Sequence, residues 1–219
     1  MSSRKVLAWA LAALVLTGVN AMAAEKPQYE VLVSTDAYEI RHYEPYIVAE
    51  TVVEGTYATA GNKAFNILAG YIFGNNKTSE KMAMTAPVES RAARDSVTMN
   101  MTAPVISSAS STDIGFYTYA FVMERKYTLE TLPVPNDPRV RIRSVPERTV
   151  AVHRYSGSWS KENYAEHERL LLGALDDDGI STLGTPVSAR YNAPFTPWFL
   201  RRNEVMIEIQ DFEQVATGD

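Results

Sequence analysis

The sequence predicts one α+β domain with pseudo-twofold symmetry, its helices packed on antiparallel sheet, and three observations carry that reading. Shifted by 102 residues, EIRHYEPYIVAETVVEGTY (39–57) lies without a gap over RIRSVPERTVAVHRYSGSW (141–159). Ile40 meets Ile142, Arg41 meets Arg143, Val48 and Ala49 meet Val150 and Ala151, Gly55 meets Gly157, and Tyr57 meets Trp159. Both copies are also punctuated alike: a short strand, a turn containing proline, then a second strand that closes at a glycine and an aromatic residue. Each copy then continues into helical spacing, with Phe65, Leu68, Ala69 and Ile72 in the first and Tyr164, Leu171, Ala174 and Leu175 in the second. Each helix can therefore bury one face.

Residues 1–23 are expected to be a signal peptide and 24–219 the domain. Arg4 and Lys5 precede an apolar run from Val6 to Leu16, and Ala21-Met22-Ala23 offers a small-residue cleavage site. The run is shorter than the roughly 20 residues that cross a bilayer. Cleavage would leave no membrane span, would take the formal charge from −5 to −7, and would place the protein in the periplasm or outside the cell. With no cysteine in the chain, disulfides and thiolate ligands are excluded, and the core must supply the stability. The absence of any basic run in a chain of charge −5 leaves no footprint for nucleic acid, which is not expected as a partner.

After the first helix, KMAMTAPV (81–88) is answered by TMNMTAPV (98–105). The spacing predicts two strands of a hairpin joined by the polar turn ESRAARDS (89–96), with Met82 and Met84 on one face of the first strand, Met99 and Met101 on one face of the second, and the register deciding whether all four share a face of the sheet. Methionine there is expected to pack the core rather than to ligate iron. Pro87 and Pro104 lack an N–H and should mark strand ends, edges or bulges. FYTYAFVM (116–123) alternates as a strand, and SSASST (107–112) and PVPNDP (133–138) are connections. Ser158 or Ser160 can cap the second helix and Gly179 can end it. YNAPF (191–195) echoes the MTAPV phrase, and VMIEI (205–209) reads as the last strand.

Three histidines carry the candidate chemistry: His42, His153 and His167. No pair has the helical spacing of a zinc site, and no Gly-x-Ser-x-Gly elbow accompanies them. His167 lies between Glu166 and Glu168 and reads as a surface histidine paired to carboxylates; His153 sits on an alternating strand, at an edge or hydrogen-bonded. His42 stands among arginine and tyrosines in YEIRHYEPY, near a strand end where a side chain reaches a cleft. Imidazole is a good axial ligand for haem iron, although spacing alone leaves a structural role open.

YEIRHYEP (38–45), NKAFNILAGYIFGNNKTSEKMAMTAPV (62–88) and APFTPWFLRRNEVMIEI (193–209) together resemble the SOUL haem-binding protein family over about residues 29 to 210. The resemblance implies a distorted antiparallel β-barrel of two βαββ pseudo-repeats with two packed helices. It also implies non-catalytic binding of haem or a related tetrapyrrole in an apolar cleft. His42 is the match to the histidine proposed as axial iron ligand in some members, and so the one cofactor-binding and metal residue expected. Propionates would meet cations such as Lys63, Lys77, Lys81, Arg201 or Arg202. The competing readings are a pocket for another amphipathic small molecule and an uncharacterised envelope enzyme.

Overall fold

A computed structural model describes residues 25–92 and 114–210. In chain order the elements are β1 (Tyr29–Ser34), β2 (Glu39–Tyr43), β3 (Tyr46–Gly55), α1 (Tyr57–Ile72), β4 (Val88–Ala92), β5 (Gly115–Val122), β6 (Arg141–Val145), β7 (Arg148–Tyr155), α2 (Lys161–Asp177), β8 (Thr182–Arg190) and β9 (Asn203–Ile209). Among the described residues the nine strands join one sheet in the order β1-β2-β7-β9-β8-β4-β5-β3-β6, with antiparallel pairing throughout. β1 and β6 end the sheet without pairing to each other, so the expected barrel is a curled sheet left open.

Leaving β1 aside, the strand order reads the same from either end once β2, β3, β4 and β5 are exchanged for β6, β7, β8 and β9. The midpoint is the β4–β8 pair, where Ser90 faces Ser188. β2 pairs with β7 through Ile40 and Ala151, while β3 pairs with β6 through Ala49 and Ile142, the same positions displaced by 102. Each half thus lends its first strand to the other.

Both helices start and stop where their end chemistry allows. Thr56 and Thr59 form a reciprocal capping box on α1, and Ser160 rather than Ser158 caps α2 by accepting from the Asn163 amide. At the other end of α2, Gly179 (φ +69°) takes the left-handed conformation that a side chain would oppose. Its N–H reaches Asp176 O while that of Ile180 reaches Leu175 O, satisfying two of the last carbonyls.

The outer face of the sheet carries the helices. Ala60, Ala64, Leu68, Tyr71 and Ile72 of α1 pack on Ala49, Val53, Tyr119 and Phe121; Leu171 and Leu175 of α2 pack on Ile40, Ala151, Val205 and Ile207. Phe65, expected on the buried stripe, meets Phe121 edge-on at 5.7 Å and leaves its other side to solvent. Valines 48, 122, 150 and 152 fill the inner face of the curl with Tyr43, Tyr46 and Met206.

Charge is buried in that inner face as well. Glu204, with no exposed surface, accepts from both terminal nitrogens of Arg41 (3.1 and 3.2 Å), from Tyr191 (2.7 Å) and from Arg202 (2.7 Å). Burial alone would raise the Glu204 carboxyl, but these partners outweigh it and hold it below the ordinary carboxylate range. Tyr43, which accepts from Arg41, is pushed up to about 12 chiefly by burial.

The first arm of the expected methionine hairpin is not a strand. Met82 is buried under α1 and Met84 is exposed, and residues 82–87 belong to no strand. Their backbone donors go elsewhere: Met82 N to Ile72 O, Ala83 N to Glu124 and Ala86 N to Glu25 O, so no ladder is available to alternate the side chains. β4 begins directly after Pro87 and runs through the first half of the expected turn 89–96. Met99, Met101 and Pro104 lie outside the described residues.

Candidate functional site

Between the two helices the outer face is floored by β4 and β8, where Ser90 faces Ser188 and both are buried. Aromatic side chains converge there from separate elements. Tyr57, in the first turn of α1, meets Tyr117 of β5 edge-on at 6.2 Å and Tyr164 of α2 at 6.4 Å. Tyr119 of β5, Tyr155 of β7 and Trp159 complete the cluster. Gly61 keeps α1 close to it, since a Cβ at that position would stand 3.4 Å from the Tyr119 hydroxyl.

Arg190, at the end of β8, lies within this cluster. It donates to the Tyr57 hydroxyl at 3.3 Å, and its guanidinium carbon lies 5.9 Å from the Tyr57 ring and 5.2 Å from the Trp159 ring. Among the described residues it makes no ion pair. Burial raises the Tyr57, Tyr155 and Tyr164 hydroxyls, so all three stay protonated donors at neutral pH. A groove of about 920 Å³ lies beside α2, lined by Ala165, Glu168, Leu172 and Gly173, by Ile180 ahead of β8 and by Thr182 at its start. Glu168 is near both Tyr57 and Tyr164, and burial raises its carboxyl.

Next to this cluster is a histidine pair that sequence spacing does not reveal. His153 Nε2 is 3.0 Å from His167 Nδ1, His153 Nδ1 is 2.6 Å from Ala37 O, and the Tyr155 ring stacks on His167 at 4.0 Å. His167, expected to pair with its neighbouring carboxylates, is instead joined to His153; burial first and His153 second lower its pKa.

His42 lies on the same outer face but apart from the cluster. Its neighbour across β2–β7 is Thr149, and its Nδ1 is 3.2 Å from Thr149 Oγ1. Thr149 precedes Tyr155 by six positions on β7, about 20 Å at roughly 3.3 Å per residue. Of the expected propionate partners, Lys77 and Lys81 are exposed after α1, and Lys63 donates to Glu54 O at 3.0 Å. Arg202 is held by Glu204. Arg201 borders the cluster, its guanidinium 4.3 Å from the Trp159 ring. Arg190, the cation inside the cluster, is one that the sequence reading passed over; its signal was the alternation Ser188-Ala189-Arg190, which sets it on the same face as Ser188. No group of three or more metal-ligating side chains occurs among the described residues.

Comparison with known proteins accords with this architecture. Solved structures of similar fold include the C-terminal domain of EcmrR (TM-score 0.56, 10% identity, 84% of this chain and 98% of that one) and a hydrolase from Listeria innocua (TM-score 0.52, 8% identity, 82% and 94%). At such identities the likeness concerns the fold alone. Heme-binding protein 2 of Mus musculus is 28% identical over 207 residues, covering 89% of this chain and 94% of that protein. The Homo sapiens protein of the same name is 29% identical over 177 residues, covering 77% and 80%. A profile of the SOUL heme-binding proteins matches residues 24–208. With nearly the whole domain matched, the chain belongs to the SOUL heme-binding protein family.

Proposed function

We propose that the protein binds haem or a related tetrapyrrole without catalysing its conversion, and that the ring lies in the aromatic cleft between α1 and α2. The observation that carries this reading is Arg190, a guanidinium with no carboxylate partner among the described residues, surrounded by tyrosines and Trp159. Flat aromatic side chains suit a flat apolar ring, and a planar cation suits a ring carboxylate. The relatives named as heme-binding proteins support the same ligand class.

As an exclusive alternative, the ring would lie against β2 with His42 as its axial ligand, because about 20 Å along β7 separates His42 from the aromatic cluster. Donation of its Nδ1–H to Thr149 Oγ1 would leave Nε2 free and the ring oriented, as metal-bound imidazoles commonly are. Bound haem would supply an iron centre that accepts such an imidazole. Because His42 and Arg190 lie far apart, one titration with hemin separates the two assignments. Arg190→Ala is expected to weaken binding about tenfold or more, the scale of one charge-assisted hydrogen bond. On the alternative, His42→Ala would instead shift the Soret band and lower affinity. An unchanged spectrum and affinity in one variant sinks the assignment of that residue alone.

A second reading, a site for another amphipathic molecule, is favoured by Glu168, a half-buried carboxyl that lines the groove beside α2 and makes no ion pair among the described residues. Displacement of hemin by non-haem compounds would support it. We further take the protein to be exported after loss of residues 1–23, and its halves to descend from one duplicated unit. An N-terminal mass beginning at residue 24 in an extracytoplasmic fraction is the expected result for the first.

A further inference from the structure

Four large apolar side chains stand in solvent on the connection from β8 to β9: Phe195 is 89% exposed, Trp198 62%, Phe199 58% and Leu200 64%. Exposed apolar residues are ordinary when scattered, but four within six positions form a patch that needs a partner. The connection is also held in shape. Arg201 donates to Thr196 O (2.8 Å) and Pro194 O (2.9 Å), Asn192 accepts from the Arg202 amide, and Trp198 O accepts from Gly157 N at 3.0 Å. A short 3₁₀ turn at Trp198–Leu200 fixes the tip. The aromatic tip is thus displayed by a braced loop, which lowers the ordering cost of docking it.

Charge decides among occupants. Although the chain carries −5 overall, residues 190–202 hold no acid; of their arginines, Arg190 lies in the aromatic cluster and Arg202 pairs with Glu204, which leaves Arg201 at the loop. The adjoining turn that the loop leans on, residues 153–161, holds Arg154 and Lys161 and no acid; Glu162 is the first beyond it. Tryptophan, phenylalanine and leucine at a tip with arginine and lysine behind it match an anionic bilayer surface, where aromatics enter the headgroup region and cations meet the lipid phosphates.

We propose that the 192–201 loop attaches the protein peripherally to anionic lipid surfaces, with Phe195, Trp198, Phe199 and Leu200 entering the interface and Arg201, which braces the loop, as the cation nearest the headgroups. This does not rest on tetrapyrrole binding. The test compares the chain as recovered from cells with its Phe195→Ser, Trp198→Ser, Phe199→Ser variant, both sharing one N-terminus. Cosedimentation is measured with phosphatidylglycerol–phosphatidylethanolamine vesicles and with phosphatidylcholine vesicles. Wild type is expected to bind the anionic vesicles, less so as salt is raised, with tryptophan emission moving to shorter wavelength. The variant, whose changed side chains are solvent-exposed, should keep its thermal midpoint and bind about tenfold more weakly or worse. No sedimentation of wild type, equal binding by the variant, or a loop-dependent dimer of the free protein would each overturn the proposal.

Discussion

Glu204→Ala is expected to cost about 3–5 kcal/mol of folding stability, enough to leave much of the protein unfolded at modest urea concentrations. The effect comes from what remains rather than from what is removed. Arg41 is 2% exposed, and its guanidinium would stay inside the curled sheet with Glu39, Tyr43 and the Tyr29 ring as partners. Tyr191 and Arg202 would lose their acceptor in the same step. Glu204→Gln keeps an acceptor oxygen and should cost less, while still leaving two guanidiniums without their shared countercharge. The pH dependence has a definite sign. The folded carboxyl titrates below its unfolded counterpart, so its contribution is complete above the ordinary glutamate range and is lost as pH falls through the folded value. Urea midpoints taken across acid pH should fall for wild type and be flatter for Glu204→Gln; parallel curves would remove Glu204 as the source.

Legibility in the sequence followed the range of the forces involved. The helices were readable because caps and apolar spacing act within a few residues: Ser160 and Gly179 stand where the chemistry of helix ends puts them. The 102-residue offset carried information across the chain, and it marks the equivalent pairings of β2 with β7 and β6 with β3. What it does not encode is that the halves exchange these strands, nor that the sheet stays open. The strand assigned to the first methionine phrase failed because alternation was read where Pro87 and loop carbonyls govern the backbone. The aromatic cluster was invisible for a different reason: Tyr57 and Arg190 lie 133 positions apart, and only sheet topology makes them neighbours. The His153–His167 pair likewise joins a strand to a helix, a spacing with no periodic signature.

Leu171→Ala is expected to cost about 2–5 kcal/mol, and to do so unevenly across the fold. α1 is anchored by six buried residues, from Ala60 to Ile72, whereas α2 has two, Leu171 and Leu175, each without exposed surface. Removing one of two anchors opens a cavity against Ile40, Ala151 and Val205 and leaves a helix whose remaining contacts are partly wet. Leu170→Ala, at a position 42% exposed on the same helix, should change stability by no more than about 0.5 kcal/mol. Because α2 contributes Tyr164 and Glu168 to the cleft, its local opening would disturb that wall before the sheet melts. Hydrogen exchange should therefore show the α2 amides losing protection in Leu171→Ala while those of α1 and β5 keep theirs, and hemin affinity should fall with the α2 signal rather than with global stability. Uniform loss of protection would instead mean that both helices and the sheet unfold as one unit, and that the cleft is no softer than the core beneath it.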